Sequence, residues 1–132
     1  QTCALPISDK FQGGFRNFAA IVGLQNSISI LTSMGIVNIR KKIISLANIL
    51  REELSKIPGI TLYGPEEESR RTSIVSFTLD GESPLEIARQ LEEHGIVVAV
   101  REISEKKLVR VSPHFFNTES DMLKLVNAIK IL

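Results

Sequence analysis

From Asn17 to Ser33 apolar residues recur at helical spacing (Phe18, Ile21, Val22, Ile28, Leu31) behind the flexible pair Gly13-Gly14, and this predicts a first helix that Gly35 breaks. A second helix is expected from Asn38, where Ile39, Ile43, Leu46, Leu50, Leu54 and Ile57 form a stripe opposite Arg40, Lys41, Lys42, Arg51, Glu52 and Lys56, up to Pro58-Gly59. A short strand follows at 60–63, then the charge run Glu66 to Arg71, read as a solvated surface loop. In the segment 74–79 Val75, Phe77 and Leu79 alternate with Ser76 and Thr78, the pattern of a half-buried strand.

Ser83-Pro84-Leu85-Glu86 has the N-cap, first-turn proline and third-position glutamate of a helix start. That third helix should run to His94, with Gly95 in the left-handed conformation behind it and His94 complementing the helix dipole. Ile96 to Val100 is a continuous apolar run that predicts a central strand, and 108–112 is the last strand. Thr118-Glu119-Ser120-Asp121 then opens a final helix whose Met122, Leu125, Val126 and Ile129 face the core. The order is helix, helix, strand, strand, helix, strand, strand, helix. It folds most simply as an α+β unit, a small, mainly antiparallel sheet with helices packed on one face.

Charge narrows the picture. Sixteen Lys and Arg against fifteen Asp and Glu leave +1, dispersed along the 132 residues, so neither nucleic acid nor an anionic membrane is expected as a partner. The absence of a long apolar run makes a soluble, cytoplasmic protein the default expectation. The single cysteine, Cys3, rules out an internal disulfide framework, and no metal site is expected. Gln1 to Ile7 is the in-frame translation of a common sequencing adapter, so residues 1–7 are read as an artefact of library preparation and the chain as N-terminally truncated. Residues 8–35 are read as a linking segment and helix, and 36–132 as the folded domain.

The stretch Arg110-Val111-Ser112-Pro113-His114-Phe115-Phe116-Asn117-Thr118 places a guanidinium at the end of an apolar strand, just before a turn and a capped helix. A planar, permanently charged fork held there can grip a carboxylate through two parallel hydrogen bonds. Read from residue type alone, Arg110 is also compatible with a surface ion pair. The same stretch closely resembles the C-terminal signature of class V aminotransferases, the pyridoxal-phosphate enzymes that include the cysteine desulfurases. Phe11-Gln12-Gly13-Gly14-Phe15-Arg16-Asn17, Gly59 to Pro65 with Ile74 to Phe77, and Gly95-Ile96 with Arg101 resemble other segments of that family, so the likeness covers essentially everything after residue 8.

The resemblance implies the C-terminal small domain of a fold type I enzyme that uses pyridoxal 5'-phosphate on an amino acid, as transaminase, lyase or epimerase. It implies Arg110 as the ligand of the substrate α-carboxylate, with Arg101 and His114 as further substrate-binding candidates. Gly14 and Phe15 fall where the family contacts the cofactor phosphate through a threonine, but Phe15 has no hydroxyl to donate. The lysine that attaches the cofactor lies, in the family, in an N-terminal large domain, and Lys10 lacks its sequence context. No catalytic residue is therefore expected in this chain, and its partners would be that large domain, a second copy in a homodimer and the amino-acid substrate. The desulfurase nucleophile would fall within 102–109, which holds no cysteine, so persulfide chemistry ranks low. Two alternatives stay open, a stand-alone module that binds a small carboxylate without catalysis and a pure dimerisation element.

Overall fold

The computed structural model describes residues 17–132, and the expectations for residues 1–7, Lys10, Gly14 and Phe15 lie outside the described residues. The chain divides after Ile36 into two units. In the first, helix α1 spans Phe18–Met34. Asn17 caps it, its side chain accepting from Ala20 N at 3.0 Å. Gly35 ends it at φ +81°, a left-handed turn that suits a residue without Cβ, and its N–H donates to Leu31 and Thr32 carbonyls. The helix forms where the apolar spacing placed it, yet none of its residues is buried.

Apart from Ile36, the first residue of α2, the second unit contains α2 (Ile36–Ser55), β1 (Ile60–Tyr63), β2 (Val75–Leu79), α3 (Pro84–Glu93), β3 (Ala99–Ile103), β4 (Lys106–Val111) and α4 (Glu119–Ile129), with one 3-10 turn at Glu68–Arg70. The four strands form one antiparallel sheet in the order β1-β2-β4-β3. Strand alternation sends Val75 and Phe77 of β2 and Val109 and Val111 of β4 to one face, where all four are buried. Leu50 and Leu54 of α2, Ile87 and Leu91 of α3, and Leu125 and Ile129 of α4 join them in one core cluster. The expected α+β arrangement is the one observed.

Two local expectations need correction. Ser83 stands at the N-cap of α3 with Pro84 in the first turn, but its side chain makes no capping hydrogen bond. The Glu86 carboxylate that a reciprocal cap needs is bound instead by Arg89 Nε at 3.0 Å and Gln90 Nε2 at 2.9 Å. The run Ile96 to Val100 is not a central strand: β3 begins at Ala99 and lies at the sheet edge, paired only with β4. Ile96 and Val98 pack on the core while Val97 between them is 83% exposed, so a continuous apolar sequence carries an alternating burial pattern. The run Glu66 to Arg71 is an exposed loop as expected, but a braced one, with Arg71 Nε donating to the Pro65 carbonyl at 3.1 Å.

Candidate functional site

Arg110 is the penultimate residue of β4 and points to the sheet face opposite the helices, the reverse of Val109 and Val111. Ser76 of β2 and Ala99 of β3 flank it in register on that open face. Its side chain is half-buried, and its Nε is shielded from solvent without a hydrogen-bond acceptor among the described residues. Among the described residues the ion pairs join Lys56 to Glu52 and Glu53, and Arg89 to Glu86 and Glu93; Arg110 takes part in none. A buried guanidinium donor left open in this way favours an anionic ligand, since an unmade hydrogen bond costs about 1–3 kcal/mol.

The chain beyond Arg110 is pinned by local hydrogen bonds. His114 N donates to Asn117 Oδ1 at 2.9 Å and Asn117 N to the His114 carbonyl at 3.0 Å, closing a turn. Thr118 and Asp121 then form the expected capping box: Asp121 N donates to Thr118 Oγ1 at 3.2 Å, and Thr118 N to Asp121 Oδ2 at 2.8 Å. The Thr118 backbone and hydroxyl, with the Asn117 amide, hold the Asp121 carboxyl below its ordinary pKa. A helix start fixed this firmly also fixes where β4 must end.

Arg101 lies on the neighbouring strand and on the same face as Arg110, in register with Leu108. Its Nη1 donates to the Val100 carbonyl at 2.9 Å, and the side chain is exposed. The sheet thus brings the two arginines onto one surface, diagonal to one another. His114 is exposed in the turn and stacks on Phe116 with ring centroids 4.5 Å apart and planes at 28°, and it lies 4.5 Å from the Phe115 ring. Those aromatic contacts are what the structure gives it. His94 ends α3, its Nδ1 2.9 Å from the Gln90 carbonyl, and Gly95 adopts φ +71° behind it.

Sequence reasoning did not find a hollow of about 610 Å³ on the open face, lined by Tyr63, Ile74, Ser76, Ile103, Lys106 and Leu108 among others. Leu108 is 4% exposed, although it faces away from the helices and stands outside the core cluster. Lys106 places its amine 5.9 Å from the centre of the Tyr63 ring. Arg51 Nη1 donates to the Tyr63 carbonyl at 3.2 Å; burial, then the neighbouring Arg71, lowers the Arg51 pKa. The only sequence signal for this hollow was Leu108 itself, an apolar residue two before Arg110 and so on the same side of the strand.

A family model described as aminotransferase class-V matches residues 3–125. The chain is 28% identical over 130 residues to a probable cysteine desulfurase of Staphylococcus aureus, covering 92% of this chain and 31% of that protein. It is 30% identical over 130 residues to a probable cysteine desulfurase of Mycolicibacterium paratuberculosis, covering 92% of this chain and 19% of that one. Among solved structures, a cysteine desulfurase from Escherichia coli superposes with a TM-score of 0.84 at 25% identity, over 92% of this chain and 32% of the other. The apo cysteine desulfurase of Thermococcus onnurineus, at 22% identity, shares the fold with a TM-score of 0.86, over 92% and 32% respectively. The chain therefore spans about a third or less of the length of these relatives. With the model matched almost from end to end and the sheet, helices and Arg110 turn in place, this chain belongs to the class V aminotransferase family.

Proposed function

We propose that this chain is the C-terminal part of a longer pyridoxal-phosphate-dependent enzyme, and that Arg110 anchors the α-carboxylate of its amino-acid substrate. The observation that carries the reading is the shielded Arg110 Nε with no acceptor among the described residues. A bidentate carboxylate would satisfy it, and charge-assisted bonds of this type contribute about 1.5–3 kcal/mol each. Ser76 and Ala99, small on either side, leave room for the ligand. The pinned Asn117 to Asp121 segment holds the end of β4, so that the substrate is oriented as well as bound.

The described residues suit a place beside the cofactor rather than around it. They offer an anion anchor on a sheet face, whereas Gly14 and Phe15, where the family contacts the cofactor phosphate, lie outside them. Pyridoxal phosphate, when bound, supplies the electron sink for bond breaking at the substrate's α-carbon. Arg110 contributes position: it fixes one end of the substrate and so limits which bond is presented for reaction. A large domain that carries the attachment lysine, and a homodimer, belong to the same proposal.

The reaction we propose is transamination, elimination or epimerisation rather than persulfide formation. The relatives are cysteine desulfurases by name, but β3 and β4 are joined here by Ser104-Glu105, both at positive φ (49° and 66°), a tight hairpin turn with no thiol. Arg110→Ala in the enzyme that contains this chain should raise KM for the amino acid by about a hundredfold, the loss of two charge-assisted bonds, with Arg110→Lys recovering part of it. Unchanged kinetics in Arg110→Ala would refute the assignment.

A further inference from the structure

We propose that the open-face hollow beside Arg110 is a subsite for the distal part of the same substrate, an apolar chain ending in an anionic group that Lys106 receives. This rests on the reading of Arg110 as the α-carboxylate anchor and adds a substrate class to it. The hollow adjoins the anchor without including it: Ser76, its wall, is the register partner of Arg110, and Leu108, its floor, precedes Arg110 by two residues on the same strand face. Leu108 is 4% exposed while the apolar walls Ile74 and Ile103 remain 46% and 56% exposed. An apolar ligand body laid over that floor would remove wall area from water. Its volume, about 610 Å³, is in the range of small-molecule sites.

Charge decides the far end. Lys106 is four residues before Arg110 on β4, about 13 Å along the strand. Its contact with the Tyr63 ring, at 5.9 Å, is at the outer limit of a cation–π interaction, and among the described residues no carboxylate pairs with it. The wall that carries Tyr63 is held in place before any ligand arrives. Arg51 binds the Tyr63 carbonyl at 3.2 Å, Arg71 binds those of Pro65 and Glu66 at 3.1 and 2.5 Å, and the Tyr63 hydroxyl lies 3.4 Å from Thr78 Oγ1. Two cations at the ends of a preformed apolar trough fit a ligand with an acid at each end.

The test is an NMR titration of the full-length enzyme that contains this chain, at low salt with propionate, octanoate and octanedioate, following the Arg110 Nε–H and the amides of Tyr63, Ile103 and Lys106. Propionate should move only the Arg110 signal. Octanoate should bind about tenfold more tightly and move the hollow as well, from burial of its methylenes. Octanedioate should gain about a further threefold, lost in Lys106→Gln and kept in Lys107→Gln, whose side chain is on the opposite face. If propionate moves Arg110 while the longer acids bind no better and the hollow stays silent, the subsite is overturned and the anchor survives. If no acid moves the Arg110 signal, the anchor fails and takes the subsite with it. Shifts in the hollow that follow protein concentration and not ligand would assign it to a second copy of the chain and overturn the subsite.

Discussion

Replacing Arg110 with methionine should stabilise the folded chain, although it removes the residue on which the proposed activity rests. The Nε donor is buried with no acceptor among the described residues, and an orphan of this type costs about 1–3 kcal/mol. Methionine keeps an unbranched apolar stem for the sheet face and carries no donor to orphan. Because the arginine is only half-buried, the lower part of that range applies, and we expect a gain of about 1 kcal/mol. For a folded unit the size of residues 37–132 this raises Tm by about 4–8 °C. Urea and thermal unfolding followed by circular dichroism measure it, provided the urea m-value is unchanged between the two proteins. A loss of about 1 kcal/mol or more would mean that the guanidinium holds a structural partner, and the inference from an open donor to a bound carboxylate would be wrong.

Two further predictions concern parts of the fold away from the anchor. Ser104 and Glu105 hold φ of 49° and 66° at the β3–β4 turn, a conformation in which Asn-Gly is favoured, so Ser104→Asn with Glu105→Gly should stabilise by about 1 kcal/mol; an unchanged or lower urea midpoint would contradict the turn geometry. In acid, Glu86 and Asp121 should contribute to unfolding. Hydrogen bonds from Arg89 and Gln90 lower Glu86 to about 2, and Thr118 and Asn117 lower Asp121. Since both folded pKa values are depressed, the stabilisation is fully present above the ordinary carboxylate pKa near ~4 and is lost as pH falls through the folded values, to about 2 for Glu86. Glu86→Gln with Asp121→Asn should flatten the decline in Tm between pH ~5 and ~2, and an equally steep decline in the double variant would show that other groups cause it.

Most of the fold was legible in the sequence because most of it is local. The Thr118–Asp121 capping box closes within four residues, and the alternation of Val75 and Phe77 reports burial directly, so both were readable. The Ser83 start shares the N-cap hydroxyl and third-position acid of the Thr118 start, but Glu86 has Arg89 and Gln90 within one turn, and they take its carboxylate. Strand order is not local at all. Nothing in Ile96 to Val100 indicates that β4 is its only neighbour, since that depends on β2 reaching the other side of β4. The place of Arg110 at a strand end before a turn was legible because it is written in consecutive residues. The hollow was not, because its walls come from residue 63 at one end and 106 at the other and meet only when four strands are assembled.

The two faces of the sheet answer to different physical requirements. The face that carries Val75, Phe77, Val109 and Val111 is packed by three helices, so substitutions there cost stability and the pattern is tied to the fold. The opposite face carries Ser76, Arg101, Arg110, Lys106 and Ile103, most of them exposed or half-buried, and changing them disturbs little packing. A chain can therefore share its architecture with a cysteine desulfurase while its open face varies, and here β3 and β4 are joined by the two-residue turn Ser104-Glu105 without a thiol. Arg110 sits between Ser76 and Ala99 in a register that the packed face fixes through Val109 and Val111. Moving the guanidinium would require slipping β4 by a residue, which would turn both buried valines outward. The position of the charge is thus enforced by the core, and the proposed substrate contacts fall on the face that packing leaves free.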